Sequence, residues 1–141
     1  MSFSIYLLAT ISAWFVAQII KYVYASIKSG YWFSTLPFFR SGNMPSVHTA
    51  TTVGLATVIG LVDGPNSAVF AIALLLMAIV AYDAMGVRRA SGEQGLALHK
   101  LLKTGTLPPY QSLGHKPIEV AIGAGIGLIT SLTVVFITAN V

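Results

Sequence analysis

Apolar and polar positions segregate along this chain in blocks the length of whole helices. Met1 to Ile20 contains no charged residue, and the apolar pattern continues past Lys21 to about Ile27. That is long enough to cross a hydrocarbon layer, which needs roughly 20 residues. A second stretch, Pro45 to Val62, is polar at its start (Ser46, His48, Thr49, Thr51, Thr52) and apolar afterwards, and the turn Asp63-Gly64-Pro65-Asn66 closes it. Gly64 to Tyr82 is a third uncharged run ending near Asp83, and Val120 to Val141 is a fourth. The pattern predicts an all-α polytopic membrane bundle of four spans, with residues 1–141 as a single domain. The first span has no basic region ahead of it and no clear small-residue cleavage site, so it reads as a retained helix.

Composition agrees. The chain is 55% hydrophobic and 9% charged, with a mean hydropathy of +0.80, whereas a soluble domain carries roughly 25% charged residues. It has no cysteine, which excludes disulfides, thiolate metal sites and a cysteine nucleophile. The net charge of +4 bears on topology and anionic ligands, not on nucleic acid. The connection after the first span holds Lys28 and Arg40, and the one after the third holds Arg88, Arg89, Lys100, Lys103 and Lys116 against Glu93. The positive-inside rule then places both connections in the cytoplasm, as expected of a multi-pass protein of the inner (plasma) membrane. Tyr22, Tyr24, Tyr31, Trp32 and Phe33 fit the aromatic belt at that interface.

Parity has a larger consequence. Four crossings bring Lys21, Arg40, His48, Asp83, Arg88, Arg89, Glu93, His115 and Glu119 to one membrane face, although they come from different span ends. Around Pro45, a flexible turn leads into a helix start whose free backbone N–H groups bind anions, with Ser46 adding a hydroxyl and His48 a proton donor at the mouth. The plainer alternative is an ordinary capped helix whose histidine points into headgroups. In the block from Ala81 to Gln94, guanidinium forks suit phosphate, while Arg89 and Glu93 at helical spacing equally form a simple ion pair. Asp83 at mid-bilayer would cost about 3 kcal/mol, so it is expected near the interface, orienting an arginine. At the start of the last span, His115 and Glu119 are four apart, which lets a carboxylate orient a histidine nucleophile. The alternative has Glu119 capping the helix and His115 on the surface, and Pro117 complicates a helical pairing.

The segments Met44-Pro45-Ser46-Val47-His48-Thr49, Asp83 to Gln94 and Leu113 to Val120 together resemble the three signature blocks of the divergent branch of the type-2 phosphatidic acid phosphatases, a superfamily that includes acid phosphatases and vanadium haloperoxidases. The resemblance implies a metal-independent lipid phosphate or diphosphate phosphatase without a cofactor. In it His115 is the nucleophile, Glu119 its orienting carboxylate and His48 the general acid. Ser46 with nearby backbone amides, either Arg88 or Arg89, Lys21 and, less directly, Arg40 hold phosphate, with Asp83 and Glu93 supporting. Val47 stands where the wider family has Gly, Glu119 where it has Asp, no Arg closely follows Lys21, and Arg89 precedes His115 by 26 positions. That gap requires residues 90–114 to fold back as a re-entrant or interfacial segment, with Leu96 to Leu102 as a short helix.

The small-residue pairs Gly123/Gly127, Ala121/Gly125 and Ala56/Gly60 suit close helix contact, either within the chain or in a homodimer. A non-catalytic lipid-phosphate or anion binder, and a phosphotransferase in which Asp83 and Glu93 hold a divalent ion, are the rival readings.

Overall fold

The computed structural model describes residues 4–30, 44–102 and 114–140, and these are all-helical. The helices are α1 (Ile5–Ser29), α2 (Val47–Val62), α3 (Ala68–Met85), α4 (Val87–Leu102) and α5 (Pro117–Ala139). α3 runs into α4 through Gly86, whose backbone angles (φ −100°, ψ −91°) leave the helical region. Three stretches are long and apolar enough to cross a membrane: α1, the run from α3 into α4, and α5. The second of the four expected spans is a shorter apolar helix of 16 residues, or roughly 24 Å at 1.5 Å per residue.

α2 is central. It packs against α1, α3 and α5, and half of its residues are buried. At one end the Tyr6 hydroxyl of α1 donates to Asp63 Oδ1 just past the end of α2, at 2.7 Å. At the other, the Ser46 N–H donates to the Glu119 carbonyl of α5 at 3.1 Å. α2 is therefore antiparallel to α1 and parallel to α5.

Small side chains set the spacing. On α1, Ala9, Ala13 and Ala17 recur every fourth residue and are fully buried. On α5, a Cβ on Gly123 would strike the Ser46 carbonyl oxygen, and one on Gly127 the Ala50 carbonyl oxygen. Close backbone approach of this kind is how membrane helices associate where burial from water contributes little. The Gly123/Gly127 pair thus packs inside the chain against α2, and Ala56 and Gly60 of α2 pack on Ala73 and Phe70 of α3. A Cβ on Gly125 would meet nothing within 4 Å.

The helix between the second and third blocks begins earlier than expected. Helical structure resumes at Val87, not near Leu96, because the break is confined to Gly86. Arg40, Tyr31, Trp32, Phe33 and Lys103 lie outside the described residues.

Candidate functional site

The entry to α5 shows how sequence places a histidine. Lys116, which precedes Pro117, is extended (φ −76°, ψ 152°), and Pro117 opens the helix where no N–H is needed. Glu119 then curls back, so that its Oε2 accepts the Lys116 N–H at 3.0 Å and lies 3.1 Å from His115 Nδ1. The two alternatives for Glu119 coincide: one carboxylate caps the helix and grips the imidazole. With Nδ1–H donating to Glu119, His115 keeps its Nε2 lone pair free.

His115 is 5% exposed. Burial pushes its pKa below the ordinary histidine value; the Glu119 hydrogen bond and charge oppose that shift, and the positive charges of Lys21 and Arg88 reinforce it. The ring is therefore neutral near pH 7, the state a nucleophile needs. Its backbone is fixed as well, since the His115 N–H donates to the Ala84 carbonyl at the end of α3 at 2.9 Å. Gly114 makes this possible. Its φ of +65° is left-handed, and a Cβ there would collide with the Arg89 backbone at the start of α4. The 26-residue separation between Arg89 and His115 is thus closed in space.

Lys21 follows Ala9, Ala13 and Ala17 on the buried stripe of α1, so the register that packs the helix also turns the lysine inward, where it is 8% exposed and within range of the Glu119 charge. His48, one residue into α2, is exposed, and it feels the charges of Arg88, Lys21 and Asp83 and the ring of His115. The two histidines, Lys21 and Arg88 therefore share one electrostatic environment at one end of the bundle.

The two arginines separate cleanly. Arg88 Nε donates to Asp83, as expected of a carboxylate that orients an arginine, and its charge reaches both histidines. Arg89 pairs with Glu93 at 3.1 Å on the exposed side of α4, the simple helical pair. Among the described residues no cluster of three His, Asp or Glu side chains is arranged to hold a metal ion.

Ser46 sits differently from expectation. It is the N-cap of α2 but makes no side-chain cap bond; it is fully buried, and its Oγ lies 2.9 Å from Thr49 Oγ1. Thr49, itself buried, is a member of the site region that spacing alone did not single out, although a hydroxyl three residues after an N-cap serine is a readable signal. The backbone N–H groups of the first α2 turn, beside His48, have no acceptors within the helix, as at any helix start.

A sequence profile described as the divergent PAP2 family matches residues 4–130. The chain belongs to that family. It is also 31% identical over 148 aligned residues to the uncharacterized membrane protein YuiD of Bacillus subtilis (strain 168), a match covering 92% of this chain and 93% of YuiD. No solved structure matches it. This divergent PAP2 protein is accordingly a multi-pass membrane protein whose three blocks lie within the matched region.

Proposed function

We propose that this divergent PAP2 protein is a lipid phosphate or diphosphate phosphatase working through phosphohistidine at the cytoplasmic membrane face. The observation that carries the reading is the His115–Glu119 hydrogen bond, made where the charges of Lys21 and Arg88 reach the imidazole. His115 Nε2 attacks phosphorus and the P–O bond to the lipid breaks. The leaving oxygen takes a proton from His48, and the phosphoryl group remains on His115. Water then attacks phosphorus while His48 accepts its proton, releasing inorganic phosphate and free His115. Lys21, Arg88 and the first-turn amides of α2 neutralise the equatorial oxygens, which is most of what phosphoryl transfer asks of a protein.

Orientation follows the basic connections, with α2 taken as a fourth crossing coextensive with the bundle. Any homodimer would use the open Ala121/Gly125 side of α5, since Gly123 and Gly127 are occupied within the chain.

Phosphate release from a panel of lipid phosphates, with and without EDTA and vanadate, tests the reading. Vanadate-sensitive, EDTA-resistant hydrolysis that disappears in His115→Ala is expected. Two observations favour a second reading, a binder without turnover: the Ser46 hydroxyl is engaged by Thr49, and Arg88 is engaged by Asp83. Saturable binding of a lipid phosphate with no product would select it.

A further inference from the structure

Ser46 is held at each of its polar atoms. Its N–H donates to the Glu119 carbonyl of α5 at 3.1 Å, its carbonyl accepts the Ala50 N–H at 3.0 Å, and its Oγ lies 2.9 Å from Thr49 Oγ1. Both hydroxyls are sealed from solvent, with Ser46 0% and Thr49 1% exposed. From the α5 side, Gly123 admits the Ser46 carbonyl: a Cβ there would lie 2.4 Å from its oxygen and 3.2 Å from its carbon. Backbone cannot swing aside, so the start of α2 would have to move.

This clamp joins the two histidines. Glu119 takes the Ser46 N–H on its carbonyl and grips His115 with its carboxylate. His48 follows Ser46 by two residues, inside the turn closed by the bond from the Ala50 N–H to the Ser46 carbonyl. A displacement of Ser46 relative to α5 is therefore passed to His48, while His115 stays with Glu119. The hydroxyl itself is poorly placed for phosphate, because turning it outward would leave Thr49 Oγ1 buried without that partner.

We propose that Ser46 is a positioning residue and not a phosphate ligand, held by Glu119, Gly123 and Thr49 so that His48 reaches the lipid oxygen leaving the phosphorus that His115 attacks. This departs from the role that the family resemblance implies for Ser46. The part played by His48 rests on the phosphohistidine reading; the lack of a phosphate contact to the Ser46 hydroxyl does not. An error of about 1 Å at a reacting group can cost on the order of 10²-fold, so proton delivery responds to small shifts.

Whole-chain variants in vesicles test it. Ser46→Ala and Thr49→Val should each lower kcat on a lipid phosphate roughly three- to tenfold, with the double variant no worse than either and Thr49→Ser restoring the parent rate. Gly123→Ala should lower it about tenfold or more, and the hydroxyl pair keeps the test valid if that variant fails to fold. On an aryl phosphate, whose leaving group needs no proton, all of these variants should stay within about threefold of the parent. Gly54→Ala, which strikes Ala13 and Ser131 farther along α2, should slow both substrates alike. Inorganic phosphate should bind Ser46→Ala as tightly as it binds the parent. Phosphate affinity weakened about tenfold in Ser46→Ala but not in Thr49→Val would overturn the proposal. So would equal losses on the two substrates in Ser46→Ala, Thr49→Val or Gly123→Ala. If the parent binds phosphate and hydrolyses neither substrate, the phosphatase reading fails, and phosphate binding alone then decides whether Ser46 is a ligand.

Discussion

The two ends of the bundle are held together differently. At one end, an exposed hydrogen bond from Tyr6 to Asp63 joins α1 to the end of α2, and Tyr6 packs on the Ala56, Ile59 and Ala73 cluster. At the other, the Ser46 and His115 backbone N–H groups, the Glu119 carboxylate and the Gly114 close approach tie α2, α3, α4 and α5 together, and Lys21 of α1 lies buried within charge range of Glu119. Between the ends the helices meet largely through small side chains, among them Ala13, Gly54, Gly127 and the buried Ser131. The difference shows that polar groups are concentrated where backbone bonds between segments hold them, and that the quieter end serves only to close the bundle.

The strongest way to break this comparison is to remove the nucleophile. His115→Ala should reduce lipid phosphate hydrolysis to background while leaving the purified protein folded by circular dichroism. Next, the two arginines should separate. Arg88→Ala should lower kcat/KM on the order of 10²-fold, since it takes one charged donor from the transition state. Arg89→Ala, which breaks only an exposed ion pair, should stay within roughly threefold of the parent, a few tenths of a kcal/mol. Equal effects would dissolve the assignment of Arg88 to the pocket.

Packing between the ends offers a third test. Gly127→Val should destabilise the protein by at least about 1–3 kcal/mol, because the new side chain meets the Ala50 carbonyl; thermal unfolding in detergent would measure it.

Acidification comes next. The folded pKa of His115 is lowered, so the unfolded chain binds its proton more readily. The stability linked to this residue is intact above the ordinary histidine pKa near 6.5 and is lost as pH falls from there toward the lower folded value. Hydrolysis should persist across most of that window and fall only as pH approaches the lower folded value, where the nucleophile itself protonates. His115→Gln should flatten the melting temperature's dependence on pH in that range.

The smallest effect belongs to the quiet end. Tyr6→Phe removes one exposed hydrogen bond and should lower the melting temperature least of these variants while leaving catalysis unchanged.

Much of this was legible in residue order because membrane spans announce themselves. The ends of α1, α3 and α5 fall within a few residues of the apolar runs that predict them. Counting four crossings predicts that Lys21, His48, Arg88 and His115 share one end, and the charge effects among them agree, although only three stretches of the described residues are long enough to span and α2 is shorter. What was not legible depended on contacts between segments. The glycine pair of α5 reads the same whether it meets α2 or a second chain, and only the Ser46 and Ala50 carbonyls decide between them. The orientation of the Ser46 hydroxyl depends on Thr49 and on the adjacent Gly123 backbone, so spacing could not tell a phosphate donor from a buried pair. Helix α4 starts at Val87 because a single residue, Gly86, absorbs the break, and a polar block gives no sign of how short its interruption is.

The most direct test of the central claim is chemical trapping of the covalent intermediate. Protein in vesicles, mixed briefly with a radiolabelled lipid phosphate and denatured in base, should retain label that is stable to alkali and released by acid. That label should be absent from His115→Ala. With an aryl phosphate, whose leaving group needs no proton, it should accumulate in His48→Ala. Label that persisted in His115→Ala, or steady hydrolysis by the parent with no trapped phosphohistidine under any of these conditions, would contradict the account.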